Sequence, residues 1–330
     1  MKLHEDKALF AEVILRASQP KEIGGIGVNA GFIEKDYWIN RALQQMSRSA
    51  AKDVAVFKGG TSLSKVYGIG ARFSEDVDVA IVRSDGMTDA GLKNIIRSTE
   101  KAMAEGLTPI ERPGLTSKGS RYRKSYFLYP QVEGIAPIGS MIPGQLLIEI
   151  NSFANPYPFG KYAVGSFILS YLQQNGLYDI ISEFDLGKFS INVLDKRTTM
   201  TEKLVSLLRF SLGDNPITDL TAKIRHFYDI HYLVNDSDCR THLGSCEFIE
   251  NFTSLIEHDR VMFAKPDRWQ TRSISDSPLL KDFDAVWRTL SQRYSLELPS
   301  LAYSTIPVPE KIAESMKCVL GIIKANGTMK

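Results

Sequence analysis

In Ser74-Glu75-Asp76-Val77-Asp78-Val79-Ala80-Ile81, acidic and branched apolar residues alternate. Side chains two apart on a strand share a face, so Asp76 and Asp78 point one way while Val77, Val79 and Ile81 point into a core. Two carboxylates one repeat apart on a rigid strand suit divalent cations, which take hard oxygen ligands. Taken alone, the same pattern also fits an edge strand with a solvated acidic face. The flanking sequence decides between the two.

Upstream, the apolar run 54–57 reads as a strand entering Lys58-Gly59-Gly60-Thr61-Ser62, and Leu63 to Tyr67 fits a helix beginning just after the glycines. Glycines in a strand-to-helix turn let backbone N–H groups approach phosphate oxygens, and a helix N-terminus favours an anion. A tight turn is the plainer alternative. Downstream, Leu146-Leu147-Ile148-Glu149-Ile150-Asn151 places Glu149 beside Leu147, opposite Ile148 and Ile150. A carboxylate in an apolar strand is costly unless a cation or donor meets it. As a third ligand beside Asp76 and Asp78, Glu149 would complete a two-metal site for Mg²⁺ or Mn²⁺. One ion would activate an attacking hydroxyl, and the other would hold an NTP triphosphate and the leaving pyrophosphate. Lys58 before the glycines, and Arg72-Phe73-Ser74 before the acidic pair, supply cations and donors for the same phosphate. Together these features favour a metal–nucleotide site.

The chain of 330 residues is too long for one compact core. Hydrophobic residues make up 43% and charged residues 24%, an ordinary globular composition that excludes a disordered tail protein or a coiled coil. Lys plus Arg number 40 against 38 Asp plus Glu, so any nucleic-acid surface must be a local patch. Three cysteines, Cys239, Cys246 and Cys318, fit a reducing compartment better than a disulfide framework. Their spacing with His242 and His258 matches no compact zinc motif. The charged start Lys2-Leu3-His4-Glu5-Asp6-Lys7 lacks the apolar core of a signal peptide, and no apolar stretch is long enough for a membrane span. A soluble, cytoplasmic protein is expected.

Helical spacing is visible over 5–18, 34–47 and 89–105, and strands over 76–82, 121–129 and 145–153. After about residue 196, amphipathic helices take over at 199–212, 219–234, 245–257 and 308–324. The fold class expected is α+β. Residues 1–195 would form an N-terminal domain with a mixed β-sheet flanked by helices, and residues 196–330 an α-helical bundle completing the active site.

Phe57-Lys58-Gly59-Gly60-Thr61-Ser62-Leu63-Ser64-Lys65-Val66-Tyr67, followed by Arg72-Phe73-Ser74-Glu75-Asp76-Val77-Asp78, resembles the AbiEii/AbiGii toxin family. That family belongs to the DNA polymerase β-like nucleotidyltransferase superfamily. Its pattern pairs a Gly-Gly or Gly-Ser turn and short helix with Asp-x-Asp or Asp-x-Glu on the next strand, and takes a third carboxylate from a later strand. The departures are a spacing of 15 residues between Gly60 and Asp76, slightly long, and Glu149 where Asp is commoner. The resemblance continues through Thr201-Glu202-Lys203-Leu204-Val205-Ser206-Leu207-Leu208-Arg209 and Lys223-Ile224-Arg225-His226-Phe227-Tyr228-Asp229-Ile230, where His226 replaces the usual Asp. It covers roughly residues 34 to 235, and beyond about 240 no motif carries the resemblance further. Glu34-Lys35-Asp36-Tyr37-Trp38 looks like its N-terminal helix motif, for which packing is the expected role. From the residues alone, Arg225 and Asp229, four apart, also read as an ordinary intrahelical ion pair.

The resemblance implies an NTP bound over Gly59, Gly60, Thr61 and Ser62, with Ser74 and Arg225 adding contacts. Asp76, Asp78 and Glu149 would hold the metals, and Lys58, Arg72 and Lys203 would neutralise charge. Asp229 would act as a base or orient the Lys–Arg cluster. The biology implied is a toxin–antitoxin or phage-defence system in which NMP passes to a tRNA 3′ end. A separate antitoxin chain, not necessarily in direct contact, is also implied. Residues 112–129 carry five basic residues, no acidic ones and four aromatics, which fits an RNA acceptor as well as a solvated basic face. Arg268-Trp269 near Arg260, Lys265 and Arg272 is a weaker patch. Protein nucleotidylation is the alternative acceptor chemistry. A metal-dependent nuclease and a catalytically inactive nucleotide- or antitoxin-binding module are the other readings. Asn151, where a nuclease of the PD-(D/E)xK type would need Lys, counts against the former. The retained close pair Asp76 and Asp78 counts against the latter.

Overall fold

The computed structural model describes residues 1–74, 76–84, 86–135, 144–154 and 156–326. The chain divides into two compact units: Met1–Val66 with Phe73–Leu194, and Tyr67–Arg72 with Asp195–Lys330. The architecture is α+β, with a mixed sheet and helices in the first unit and a run of helices in the second.

In the first unit the helices are α1 (Lys7–Ala17), α2 (Ala30–Arg48), α3 (Gly59–Val66), α4 (Asp89–Met103), α5 (Phe167–Gln174) and α6 (Tyr178–Glu183). The strands are β1 (Ala55–Lys58), β2 (Asp76–Ile81), β3 (Thr108–Ile110), β4 (Ser117–Lys118), β5 (Tyr122–Leu128), β6 (Gln145–Asn151), β7 (Phe159–Val164) and β8 (Phe189–Leu194). They form one eight-stranded sheet in the order β3-β5-β6-β2-β1-β8-β7, with β4 paired to β5. β2 lies parallel to β6 and antiparallel to β1, so the acidic strand sits at the centre of the sheet rather than at its edge. That position removes the edge-strand reading, because β2 is hydrogen-bonded to a neighbouring strand along both of its edges. Val77, Val79 and Ile81 are fully or almost fully buried, with Ile148 and Ile150 of β6 beside them.

Strands β7 and β8 and helices α5 and α6 are not apparent in the sequence pattern. In β8 the polar Asn192 interrupts the apolar run, yet it is buried. Its amide donates to the carbonyls of Lys52, Asp53 and Ala55 (3.2, 3.2 and 3.3 Å), tying β8 to the entry of β1. α3 begins at Gly59, so both glycines lie inside its first turn rather than before it.

Helix α2 carries three consecutive buried charged residues, Glu34, Lys35 and Asp36. Asp36 is fully used: it meets Lys65 at the end of α3, accepts from Asn40 Nδ2 at 3.0 Å, and accepts from the Phe167 N–H at 2.8 Å where α5 begins. Tyr37 and Trp38 pack with Phe10 of α1, their ring centroids 4.6 and 6.4 Å from it. A packing role for this motif therefore has a direct basis: it locks α3, and with it the glycine turn, to the scaffold.

The second unit holds α7 (Lys196–Ser211), α8 (Pro216–Thr221), α9 (Ile224–Asn235), α10 (Ser237–Leu243), α11 (Cys246–Met262), α12 (Pro278–Lys281), α13 (Phe283–Leu301) and α14 (Pro309–Ala325). Leu204, Leu207 and Leu208 of α7, Phe227 and Ile230 of α9, Leu290 of α13 and Val319 of α14 build its core. His231 of α9 bonds Ser315 of α14 at 2.8 Å. Among the described residues, no helix is long and apolar enough to cross a membrane.

Candidate active site

The register of the central strands assembles the acidic face. Lys58 of β1 lies opposite Asp78 of β2, Asp78 opposite Glu149 of β6, and Glu149 opposite Lys124 of β5. Directly opposed residues point to the same face of a sheet. One row across four strands therefore reads lysine, aspartate, glutamate, lysine. Asp76 lies on the same face, one step along β2 and opposite Leu147.

The glycine turn closes on this row. Gly59 has φ +81°, and a Cβ built there would lie 2.2 Å from Asp78 Oδ2. The chain at Gly59 thus needs glycine twice, for its left-handed backbone and for the room that Asp78 occupies. Thr61 Oγ1 donates to the Asp76 carbonyl at 2.6 Å, and Ser62 Oγ donates to the Gly59 carbonyl at 2.8 Å. The Thr61 hydroxyl thereby ties the turn to the start of β2, and the Ser62 hydroxyl closes the turn on itself. Ser74 is buried two residues before β2.

Glu149 is held by protein donors. Lys124 Nζ lies 2.7 Å from Oε1, and Tyr122 OH donates to Oε2 at 2.9 Å. Burial alone would lower the Lys124 ammonium, but the hydrogen bond and charge of Glu149 carry it above its ordinary value. Burial, then the Glu149 charge, pushes the Tyr122 phenol upward, so it remains a neutral donor. Among the described residues, no three Asp, Glu, His or Cys side chains gather into a ready-made metal cage. The donor set nevertheless fits Mg²⁺, which binds through one or two carboxylates plus substrate phosphates. Asp76 and Asp78, on one face of β2 beside the glycine turn, are the two carboxylates that could serve in this way.

In the second unit, Asp229 is the hub of a buried cluster. Arg72 grips it as a fork, Nε to Oδ1 at 2.7 Å and a terminal guanidinium nitrogen to Oδ2 at 2.6 Å. Lys203 Nζ reaches Oδ2 at 2.8 Å. All three are less than one-tenth exposed. Burial opposes ionisation of Asp229, but the charges and hydrogen bonds of Arg72 and Lys203 outweigh it and hold the carboxyl well below its usual range. His226 beside them is driven well below its ordinary value, first by burial and then by the Lys203 and Lys223 charges, and is neutral. Arg72 reaches this unit because Tyr67–Arg72 is anchored in it: the Ala71 N–H donates to Tyr228 OH at 2.8 Å, and the Ala71 carbonyl accepts from the Tyr303 N–H at 2.9 Å. Asp229 is thus bonded from a distant segment and a second helix, while Arg225, four residues away, reaches toward Glu297 at 3.9 Å.

The basic stretches are not single-faced patches. Arg123 turns to Glu100 (2.7 Å), Lys124 to Glu149, Arg112 to Gln145 (2.6 Å) and Lys118 to Glu111. In the second stretch Trp269 is fully buried, and Arg260 and Arg272 bond backbone carbonyls. Arg209 packs over the Phe263 ring (4.2 Å) and pairs with Asp259 at 2.9 Å, a structural setting for that motif residue. Lys124 and Tyr122 are the residues that sequence reasoning missed as partners of Glu149. Tyr122, Lys124 and Tyr126 alternate along β5, which shows that they share a face but not which strand lies beside them.

Residues 41–312 match the family model described as nucleotidyl transferase AbiEii toxin, type IV toxin–antitoxin system. Among solved structures, MenT4, a nucleotidyltransferase toxin from Mycobacterium tuberculosis H37Rv, is similar at 15% identity. The match covers 96% of this chain and 98% of that one, with a TM-score of 0.49. Comparison with curated protein sequences gives no significant match.

Proposed function

This chain belongs to the AbiEii nucleotidyl transferase toxin family of type IV toxin–antitoxin systems, and from that premise we propose that it moves NMP from an NTP to the 3′ hydroxyl of tRNA with Mg²⁺ or Mn²⁺ bound. The acceptor hydroxyl gives up its proton to solvent as its oxygen forms a bond to the α-phosphorus, the bond from that phosphorus to the bridging oxygen breaks, and pyrophosphate leaves. When bound, the metal supplies Lewis acidity at the phosphates and eases loss of the acceptor proton. Asp76 and Asp78 would hold it, with Glu149 as third carboxylate. Gly59, Gly60, Thr61 and Ser62 present the turn to the triphosphate, with Lys58 and Ser74 close by in sequence. Lys203 and Arg72 are the cations for the phosphates, with Arg225 a further contact. Asp229, both of whose oxygens are already engaged by Arg72 and Lys203, orients these two cations rather than acting as a base. An antitoxin, as a separate chain, would counter the activity.

The observation that carries this reading is the approach of Gly59 to Asp78, with no room for even a methyl group between the glycine turn and that carboxylate. The test is incubation with each α-labelled NTP, total tRNA and Mg²⁺, beside the Asp76→Ala/Asp78→Ala double variant. Label entering tRNA with wild type alone supports the proposal and identifies the nucleotide. Label on protein keeps the chemistry and changes the acceptor. Shortened tRNA without label replaces transfer by nuclease activity.

A further inference from the structure

We propose, building on the nucleotidyltransferase reading, that Lys124 is a positioning residue for the reaction. It is the resident counter-ion of Glu149, and it yields that carboxylate to the divalent cation held by Asp76 and Asp78. Two carboxylates directly opposed on adjacent strands, Asp78 and Glu149, repel each other unless a cation lies between or beside them. The row supplies its own: Lys58 flanks Asp78, and Lys124 flanks Glu149 with Nζ 2.7 Å from Oε1. An ammonium and a divalent cation on the same carboxylate repel strongly, so occupancy by one disfavours the other.

The chemistry of the pair suits exchange. The side chains of Lys124 and Glu149 are 28% and 22% exposed, against 6% for both Arg72 and Asp229. The Arg72 fork is locked to both oxygens of its carboxylate. Lys124 is a single point charge on a flexible four-carbon stem, and the solvent that reaches it lowers the cost of release. Tyr122 holds the other oxygen as a neutral donor, so Glu149 keeps its orientation when Lys124 leaves. Once released, the ammonium remains on the face that carries Asp76 and Asp78. There it is a mobile cation for the anionic substrate.

The experiment uses the full chain and Mn²⁺ alone, with free ion followed by electron paramagnetic resonance. Lys124→Met and Lys124→Gln are both expected to bind Mn²⁺ about tenfold more tightly than wild type, because the competing charge is gone. Lys124→Arg restores wild-type affinity to within about twofold, and Tyr122→Phe does not tighten binding. In steady-state transfer assays, both neutral variants raise KM for the nucleotide more than they lower kcat. The Gln variant, which retains a hydrogen bond to Glu149, decides the matter if the Met variant does not fold. Unchanged or weaker Mn²⁺ binding in the neutral variants, with Asp76→Asn still abolishing it, overturns this inference and leaves the transferase reading standing. Absence of Mn²⁺ binding by wild type at millimolar concentration overturns the metal reading and this inference together.

Discussion

Replacing Asp229 by Asn tests the buried cluster that carries most of the charge inside the second unit. The substitution keeps the side chain's shape but exchanges one acceptor oxygen for an NH₂ donor. In the native protein Oδ1 accepts from Arg72 Nε, and Oδ2 accepts from both Arg72 and Lys203, at 2.6 to 2.8 Å. Whichever way the amide turns, it sets a donor against a donor and leaves two buried cations without a counter-ion. Removing one partner of a buried ion pair costs about 3–5 kcal/mol, so a loss near 4 kcal/mol is expected. For a domain of this size that lowers Tm by about 10 °C. Because Arg72 and Lys203 hold the Asp229 carboxyl below its ordinary value, its contribution is complete above the usual carboxyl range. It is lost only as acid takes the pH down through the folded-state value. Calorimetric melting of wild type and Asp229→Asn should therefore show a constant difference from about pH 5 to pH 8 that shrinks in stronger acid. Adding Lys203→Met to Asp229→Asn removes one stranded cation and should recover about 1–2 kcal/mol. A single variant within about 1 kcal/mol of wild type, or a double variant no better than the single, would refute the counter-ion argument.

Gly59→Ala forces a left-handed residue to carry a Cβ into Asp78; transfer activity should fall below detection with at least about 2 kcal/mol lost in denaturant unfolding. Glu34 is buried, its carboxyl pushed up to about 7 by that burial despite the Val132 N–H it accepts at 2.6 Å. Its folded-state pKa lies above the ordinary one, so the molecule is most stable with Glu34 protonated and loses about 3 kcal/mol as pH rises toward 8. Glu34→Gln should melt increasingly above wild type from pH 5 to pH 8, and a constant offset would count against the argument. Arg209→Lys gives up a planar guanidinium over Phe263 and should cost about 1–2 kcal/mol with nucleotide KM unchanged, measured by melting and initial rates.

The alternation at Asp76 and Asp78, the glycine turn before it and the isolated Glu149 were legible because each rests on local geometry. A strand repeats every two residues, and a turn needs glycine where φ is positive. The same holds for the helical spacing of α2, α7 and α9. Strand β8 was hidden because Asn192 looks polar until its amide is seen serving three backbone carbonyls. The long-range partner of Asp229 was hidden in sequence for a related reason. Arg225 sits at helical spacing from it, yet the carboxylate is claimed by Arg72, which lies 157 residues earlier. Lys124 and Tyr122 became partners of Glu149 only through the antiparallel register of β5 on β6. Local periodicity is written along the chain, so the sequence alone sets which residues share a face. Which faces meet depends on strand order and long-range burial, and these charge partners exist only once the chain has closed on itself.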